Sequence, residues 1–425
     1  MEGGAKQNIV LGSLAILVLS YFMGYYMLNP IMQTLHQENL IPGTTEAEWR
    51  FYGGLIATSL QGVGLVLSFF WGILADKLGR RPILLLLGLV MGVSLIIIPT
   101  ASTYQQLLTY FVLFGVGYVG VGPAIYAFIS DAVPPERRGK GYALYYVSSV
   151  LAMILGIIVA GVLLPWRVAY VISGLLVLIT TLMLYISSKG ITIGYSEAKK
   201  EIKTYRFRDA IPSLRKKTIL VMLLMIVPWT IPWGMLSVWS IDYIQTKWGI
   251  PRGTASLIIA LATLSIALGH IIGGTISDRM VKRGDISGRT KVSLVGVTIG
   301  YISMLAMILY PYPYGAADFS SLVLPALLAT LGMMFTTFAY PNINTILSEV
   351  VVPEHRGTVF AIYSILNNLG WTLGPIFYPW LLRTVAVKGE IISSMTLSAS
   401  ITVSLWLLAL LCWLIIYKSY PKDRI

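Results

Sequence analysis

Charged residues, cysteine and histidine are all scarce in this chain of 425 residues, and each scarcity excludes a class of protein. Only 12% of the residues are charged, about half the share in a soluble domain, whereas 56% are hydrophobic and the mean hydropathy is +0.77. This balance excludes a soluble enzyme, a nucleic-acid-binding protein and a secreted scaffold. The single cysteine, Cys412, excludes an intramolecular disulfide and a thiolate metal cluster, and the three histidines have no metal-ligand spacing. We therefore expect neither a metal nor a cofactor.

Apolar runs long enough to cross a membrane fill almost the whole chain. A spanning helix needs about 20 residues, and backbone in lipid must satisfy its hydrogen bonds within the helix. The sequence therefore predicts an all-α membrane protein with twelve transmembrane helices. The predicted spans, in chain order, cover residues 8–36, 50–76, 82–100, 104–131, 139–164, 166–188, 217–247, 253–278, 291–310, 319–349, 357–387 and 391–417.

Positive charge is divided unequally between the two ends of these spans. The net charge is +13, and if both termini lie on one side, 25 of the 31 Lys and Arg residues fall on that side. Such an excess marks the cytoplasmic side. The sequence thus predicts a multi-pass protein of the cell membrane with both termini cytoplasmic, whose basic face lies near anionic lipid rather than nucleic acid. The expected partners are the lipid bilayer and a small-molecule substrate, and the chain is expected to be a monomer.

One long polar stretch separates two sets of six spans. Residues 189–216 are rich in Lys and Arg and are predicted to form a cytoplasmic linker along the inner leaflet. They divide the chain into an N-terminal six-helix bundle, 1–188, and a C-terminal six-helix bundle, 217–425.

Two loop motifs recur at matching places in the two halves. After span 2 the chain reads Gly-Ile-Leu-Ala-Asp-Lys-Leu-Gly-Arg-Arg from Gly72, and after span 8 it reads Gly-Thr-Ile-Ser-Asp-Arg from Gly274. Spans 4 and 10 each end in an acid, Asp131 or Glu349, followed after three residues by Pro-Glu-x-Arg-Gly. The recurrence of both motifs indicates an internal duplication, which is typical of transporters.

The motif at residues 72–81 resembles the loop signature of the major facilitator superfamily, Gly-x-x-x-Asp-Arg/Lys-x-Gly-Arg-Arg, and the other three loops fit the same family. The resemblance covers the whole chain. It implies two pseudo-symmetric six-helix bundles that rock to give alternating access, and a secondary transporter rather than an enzyme. The motif does not identify a substrate.

The resemblance also implies a gating role for charged loop residues. In similar transporters, the acids that end these spans pair with loop arginines and hold the cytoplasmic side closed. An acid at a membrane surface is costly unless it is paired, which supports this role; the alternative is that the charges only fix topology and cap helices. The candidate gating residues are Asp76, Arg80, Arg81, Asp131, Arg138, Asp278, Glu349 and Arg356.

Two departures from the family pattern bear on the subclass. Drug/proton antiporters of the superfamily carry an arginine in span 4, four residues before a Gly-x-Gly. The residue at that place, before Gly115-Val-Gly117, is Phe111. The Gly-Pro signature of span 5 is absent as well. The sequence therefore disfavours drug/proton antiport of the usual kind.

Polar and aromatic residues recur at helical spacing on a subset of the spans. In span 1, Tyr21, Tyr25, Asn29 and Gln33 are each four residues apart and share one face, whereas spans 3, 6, 9 and 12 have no Asn, Gln or His. For a single residue, helix packing is the simpler explanation, but concentration on the same helices favours a substrate cavity. The candidate substrate-binding residues are Tyr21, Tyr25, Asn29, Gln33, Gln61, Tyr146, Trp229, Trp233, His270, Tyr340, Asn344, Asn367 and Trp371.

The chemistry of these candidates favours a small neutral or amphipathic organic solute. No Lys or Arg lies deep in a span, which disfavours a phosphate or dicarboxylate substrate. Asp242, towards the outer end of span 7, is expected to be a solvated acid at the rim. His270 lies well inside span 8 and belongs to the residue type that titrates near neutral pH. It is the candidate proton-coupling residue, with a neutral structural role as the alternative.

Other function classes stay open at the level of sequence. An uncoupled facilitator or an exporter would have the same fold and the same loop motifs. An integral-membrane enzyme needs clustered catalytic carboxylates, and the external loops offer no convincing cluster. A channel has no need of the duplicated loop motifs, whereas a receptor-like member of the family would keep them and bind its ligand without transport.

Overall fold

The computed structural model describes residues 2–133, 135–189, 210–352, 355–385 and 390–424. Side chains are described in these ranges except at residues 2–8, 69, 72, 73, 75–77, 123, 127, 130–132 and 135–139. The described backbone is helical almost throughout and contains no strand.

The helices form two compact units, Met1–Ile202 and Lys203–Ile425. The first unit contains α1 to α7, at Glu2–Tyr26, Leu28–Gln37, Glu46–Leu78, Arg80–Ile97, Tyr104–Ala132, Pro135–Ile158 and Trp166–Ser187. The second unit contains α8 to α15, at Ile211–Leu214, Lys217–Trp248, Arg252–Lys282, Gly288–Leu309, Phe319–Thr336, Ala339–Val350, Arg356–Thr384 and Ile391–Asp423. Most of the predicted linker lies outside the described residues, so the boundaries at 188 and 217 stay predictions.

The predicted spans correspond to these helices in order, once the interrupted helices are joined. Eleven stretches of described helix are long and apolar enough to cross a membrane. The remaining predicted span is α14, which at 29 residues is about 44 Å long but carries two asparagines and two prolines among its apolar residues. The all-α membrane architecture predicted from the sequence is confirmed.

Two spans are broken into successive helices, and proline accounts for each break. Span 1 breaks at Met27 between α1 and α2, and span 10 breaks between α12 and α13. Pro30 and Pro341 lie just beyond these points, and each removes one backbone N–H from the helical ladder. The second break puts Tyr340 in the first turn of α13.

Glycines bring α9 and α14 into backbone contact. A Cβ atom on Gly374 would lie 2.3 Å from the carbonyl oxygen of Ile231, and one on Gly234 would lie 2.6 Å from the carbonyl oxygen of Trp371. Small residues allow such close helix crossings in membranes. The crossing sets the tryptophan-bearing part of α9 beside the part of α14 that carries Trp371.

Candidate substrate-binding and gating sites

Tyrosine rings from α1, α5 and α6 form one connected group in the first unit. Tyr25 stacks on Tyr118 with ring centroids 5.1 Å apart, and Tyr126 contacts Tyr145 at 4.7 Å. Tyr21 joins the two pairs, because its hydroxyl donates to that of Tyr145 at 3.5 Å and its ring centroid lies 5.8 Å from that of Tyr118. We call this group the tyrosine cluster; its members are Tyr21, Tyr25, Tyr118, Tyr126, Tyr142, Tyr145 and Tyr146.

The tyrosine cluster contains both buried and exposed rings, and one amide side chain is hydrogen-bonded to it. Gln61 of α3 donates to the Tyr25 hydroxyl at 2.6 Å. Tyr146 is 58% exposed, whereas Tyr21 and Tyr25 are buried. The structure thus brings four of the candidate binding residues together. The other two candidates of span 1 lie beyond the break in α2, where Asn29 is buried and Gln33 half-buried.

Four members of the cluster were not among the predicted binding residues: Tyr118, Tyr126, Tyr142 and Tyr145. Tyr118 and Tyr126 are eight residues apart on span 4, a spacing that places them on one helix face. Tyr145 directly precedes the predicted Tyr146. Span 4 contributes tyrosine hydroxyls rather than amides to the cluster, so the pattern of Asn, Gln and His residues does not indicate it.

A second aromatic group lies in the second unit, on α9, α10, α13 and α15. Tyr340 is central: its ring centroid lies 6.1 Å from Trp229, 6.4 Å from Trp233 and 5.4 Å from the His270 ring. Trp406, missed in the sequence, contacts both α9 tryptophans and donates its indole N–H to the Trp229 carbonyl at 3.0 Å. We call this group the tryptophan cluster: Trp229, Trp233, His270, Tyr340 and Trp406.

The imidazole of His270 has a defined tautomer when neutral. Its Nδ1 lies 2.7 Å from the carbonyl oxygen of Ile266, one turn earlier on α10. A carbonyl only accepts, so Nδ1 carries the proton and Nε2 is left with a lone pair. Proton uptake at Nε2 would leave the Nδ1 hydrogen bond intact. The resulting cation would face the Tyr340 ring, which favours positive charge.

The remaining candidates of the second unit are placed differently. The hydroxyl of Tyr340 lies next to the indole of Trp371 on α14, so this residue adjoins the tryptophan cluster. Asn367, one turn earlier on α14, is half-buried, and its amide oxygen has no hydrogen-bond partner. Asn344 is exposed, one turn beyond Tyr340 on α13.

Asp242 corrects an expectation from the sequence. It was expected to be solvated at the rim, but its side chain is only 1% exposed. It lies six residues before the end of α9, where the helix is packed on nearly all sides, and the Thr246 hydroxyl lies 3.5 Å from its carboxylate. Length along the helix predicted its depth but not the packing around it.

A charge network joins four helices at one end of the second unit. Arg289 of α11 binds Asp278 of α10 at 2.8 Å and Glu349 of α13 at 3.2 Å. Arg424, just beyond α15, lies 3.2 Å from Glu349, and the Tyr420 hydroxyl donates to the same carboxylate. The candidate gating acids Asp278 and Glu349 are therefore paired.

The arginines that bind these two acids, Arg289 and Arg424, are not among the predicted gating residues. Arg356, one of the predicted loop arginines, donates its Nε–H to the Val351 carbonyl at 3.2 Å. Sequence reasoning missed Arg289 because it lies eleven residues after Asp278, outside the repeated motif. An arginine at the start of an apolar helix is the sequence feature that could have indicated its role in this network.

The gating candidates of the first unit are only partly described. The side chains of Asp76, Asp131 and Arg138 lie outside the described residues, so their pairing stays a prediction. Arg80 and Arg81 form the first turn of α4. Arg81 donates to the Ser188 hydroxyl and to the Tyr185 carbonyl, each at 2.9 Å, and so ties α4 to the end of α7.

The residue that replaces the antiporter arginine is part of the packed interior. Phe111 is fully buried on α5, and its ring meets that of Tyr170 on α7 edge-to-face, with centroids 5.8 Å apart. The side chain at this place therefore packs two helices of the first unit together.

Comparison with known proteins identifies the family. The family model of the Major Facilitator Superfamily matches residues 14–375 and 231–423. The chain belongs to the major facilitator superfamily. This confirms the resemblance inferred from the loop motifs at residues 72–81 and 131–139 and from their copies in the second half.

Relatives from the superfamily are similar along much of the chain. The "Multi-drug resistance efflux pump PmrA homolog" of Lactococcus lactis subsp. lactis is 25% identical over 400 residues, which cover 90% of this chain and 89% of the relative. The "Inner membrane transport protein YnfM" of Escherichia coli is 23% identical over 55% of this chain and 60% of the relative. A crystal structure of a bacterial homologue of the human lysosomal transporter Spinster is similar with a TM-score of 0.79 and 17% identity, over 99% of this chain and 98% of that one.

Membership of the superfamily confirms the predicted fold and the general activity. The protein is a multi-pass membrane protein with the superfamily fold and is a secondary transporter of small molecules. The superfamily transports solutes and does not catalyse reactions, so the prediction that the chain is not an enzyme is confirmed.

Proposed function

We propose that this transporter exports a neutral or amphipathic organic solute by alternating access. The two aromatic clusters, one within each unit, carry this proposal. Their groups are aromatic rings with hydroxyl and indole groups and one imidazole, and the Gln61 amide lies beside Tyr25. Aromatic faces with a few hydroxyl and indole groups suit an apolar body with sparse polar atoms. The outward direction is supported by relatives named as multi-drug efflux pumps.

Unpartnered polar atoms in the second unit supply groups for recognition. The indole N–H of Trp233 is buried and has no acceptor among the described residues, and the amide oxygen of Asn367 has no donor there. A buried polar atom without a partner costs free energy, so a ligand that offers a partner is favoured. A hydrogen-bond acceptor on the solute would suit the Trp233 indole, and a donor would suit the Asn367 amide oxygen.

The solute class is tested by a thermal-shift screen on the purified protein, followed by flux of each hit into proteoliposomes. Trp233→Phe keeps an aromatic ring and removes the indole N–H. It is expected to weaken binding of hits about threefold to tenfold, the range for one neutral hydrogen bond. Trp248→Phe is the matched control, because Trp248 is a buried tryptophan of the same helix whose indole N–H also lacks a partner. Equal effects of the two variants, or hits restricted to dicarboxylates and phosphates, contradict the proposed solute class.

We further propose that transport is coupled to proton binding at Nε2 of His270. The lone pair of this atom and its position beside Tyr340 support the proposal, because protonation adds a donor and a positive charge to the tryptophan cluster. The buried carboxylate of Asp242 makes it a second candidate for the coupling site. The alternative function is an uncoupled facilitator of the same solute.

Orientation and assembly belong to the proposal as well. We propose that both termini face the cytoplasm, that the protein lies in the cell membrane and that it works as a monomer. The orientation is supported by the excess of Lys and Arg on the proposed inner side, 25 of 31.

A further inference from the structure

Trp406 reaches the tryptophan cluster from α15, a helix on which the sequence predicts no binding residue. Its indole is fully buried. Other residues of the same helix are exposed and apolar, as in a surface that faces lipid: Leu407, Leu408, Leu411 and Leu414. Trp406 therefore lies between the lipid-facing surface of the second unit and its candidate site.

Polar contacts hold α15 along α9 on both sides of Trp406. At the start of α9, the carboxylate of Asp423 accepts the backbone N–H of Thr218 at 2.8 Å. Towards the other end of α9, the hydroxyl of Tyr243 lies 3.4 Å from that of Thr396. The register of α15 against α9 is thus fixed above and below Trp406.

The backbone of α9 lacks hydrogen bonds of its own where it carries the two clustered tryptophans. Pro228 and Pro232 have no backbone N–H, so two bonds of the helical ladder are missing in this segment. The indole N–H of Trp406 donates to the carbonyl of Trp229, between the two prolines, at 3.0 Å. A donor from α15 therefore holds the segment that the prolines loosen.

The ring of Trp233 is held by its ring contacts. Its indole N–H has no acceptor among the described residues, so no side-chain hydrogen bond fixes its orientation. The ring centroid of Trp406 lies 5.8 Å away, closer than that of Tyr340 at 6.4 Å. The same Trp406 ring lies 6.0 Å from that of Trp229. Trp406 is thus in a position to fix both the backbone and the rings of this part of α9.

We propose that Trp406 is a positioning residue for the transported solute. It holds the Trp229 backbone and the Trp233 ring, so that the unpartnered N–H of Trp233 keeps the direction in which it meets the solute. Trp406 is fully buried and acts through these two residues rather than by touching the solute. This inference rests on the proposed function, in which the Trp233 N–H binds an acceptor on the solute.

Fluorine NMR of the full-length protein labelled with 5-fluorotryptophan tests the positioning without any solute. The Trp233 resonance is identified by its loss in Trp233→Phe. We expect a broadened or split Trp233 line in Trp406→Phe, because the ring then exchanges between orientations, and the parent line shape in Trp413→Phe. Trp413 is the matched control: it is fully buried about two turns along the same face of α15, and its indole N–H has no partner among the described residues. Equal line widths in the two variants would overturn the proposal.

Affinity for the strongest neutral hit of the thermal-shift screen is the second measurement. Trp406→Phe is expected to weaken binding of this hit about threefold to tenfold, and Trp413→Phe to leave it unchanged. If Trp406 acts through Trp233, the double variant Trp233→Phe/Trp406→Phe binds the hit about as weakly as the weaker single variant, because both changes remove the same interaction. A combined loss equal to the product of the two single losses would show that Trp406 acts elsewhere, against the proposal.

Failure of this inference and failure of the proposed function give different results. Trp233→Phe without loss of affinity contradicts the proposed function, and the role of Trp406 in solute binding with it. Loss of affinity in Trp233→Phe but not in Trp406→Phe keeps the proposed function and contradicts the positioning. Thermal midpoints measured without solute show whether Trp406→Phe folds as well as Trp413→Phe. If it does not, Trp406→Tyr, which keeps a larger side chain, replaces it in both measurements.

Discussion

The guanidinium of Arg289 donates to the carboxylate of Glu349 at 3.2 Å and thereby joins α11 to α13 at one end of the second unit. Its other terminal nitrogen binds Asp278 at 2.8 Å, so one arginine serves the acids of both repeated loop motifs. The side chain of Arg289 is 10% exposed, that of Glu349 is 21% exposed, and that of Asp278 is 58% exposed. The network is therefore partly shielded from water, so its charges interact with one another more strongly than they would in bulk water.

Loss of Arg289 is expected to destabilise the second unit. Arg289→Gln leaves two carboxylates without their shared cation, and we expect the free energy of unfolding in detergent to fall by about 1–3 kcal/mol. Lys291→Gln is the control, because Lys291 pairs with Asp285 in a solvent-accessible salt bridge, and such pairs contribute little to stability. Denaturant unfolding of both variants is the measurement. A smaller effect for Arg289→Gln than for Lys291→Gln would contradict the role assigned to the network.

Asp76 is expected to help close the cytoplasmic side, as the family resemblance implies for Asp76, Arg80, Asp131, Arg138, Glu349 and Arg356. Asp76→Asn removes the charge that the family resemblance pairs with a loop arginine, and it should lengthen distances on that side while substrate binding is largely kept. Spin labels at Lys140→Cys and Lys282→Cys, in a Cys412→Ser background, report this distance. Asp285→Asn is the control, because Asp285 is a loop acid outside the repeated motifs. An unchanged distribution for Asp76→Asn leaves only a capping role.

The close crossing of α9 and α14 predicts a sharp difference between two glycines of the same helix. In Gly374→Ala the new Cβ would collide with the backbone of α9, 2.3 Å from the Ile231 carbonyl oxygen. Overpacking of this kind costs about 1–3 kcal/mol. Gly357→Ala, near the start of α14, meets no atom within 4 Å and is expected to be neutral or slightly stabilising. Thermal midpoints of the two variants are compared; equal midpoints would show that the crossing is looser than described.

The proposed orientation predicts which side of the membrane each loop faces. In a Cys412→Ser background, Ser196→Cys in the linker is expected to react with a membrane-impermeant maleimide only after the cytoplasmic side is opened. Thr44→Cys in the first loop is expected to react from outside in intact cells. Labelling of both positions from the same side would show the topology to be wrong.

The sequence predicted the membrane helices well, because an apolar run of about 20 residues is enough to indicate a spanning helix. The breaks within spans 1 and 10 could not be predicted from the sequence, because other prolines, such as Pro228 in α9, lie in a continuous helix. Whether a proline interrupts a helix depends on neighbours that satisfy the freed carbonyl.

The candidate site was predicted in part, and the missing residues share a physical reason. Amides and histidine are conspicuous in an apolar span, so Gln61 and His270 were found from the sequence. Five aromatic members of the two clusters were not among the predicted binding residues, because aromatic residues are common in membrane helices and only their contacts distinguish these five: Tyr118, Tyr126, Tyr142, Tyr145 and Trp406. The partners of Glu349 were missed because Arg289 and Arg424 come from distant parts of the chain.

Uptake and exchange of a screened substrate in proteoliposomes, with and without an imposed pH gradient, test the proposed function most directly. We predict that the parent protein accumulates substrate against its gradient only when the pH gradient is present. His270→Gln should abolish this accumulation and leave substrate exchange intact, whereas Asp242→Asn should keep the accumulation. If transport by the parent protein were indifferent to the pH gradient, the coupling proposal would be wrong and the protein would be a facilitator; if Asp242→Asn alone lost coupling, the proton site would be Asp242 rather than His270.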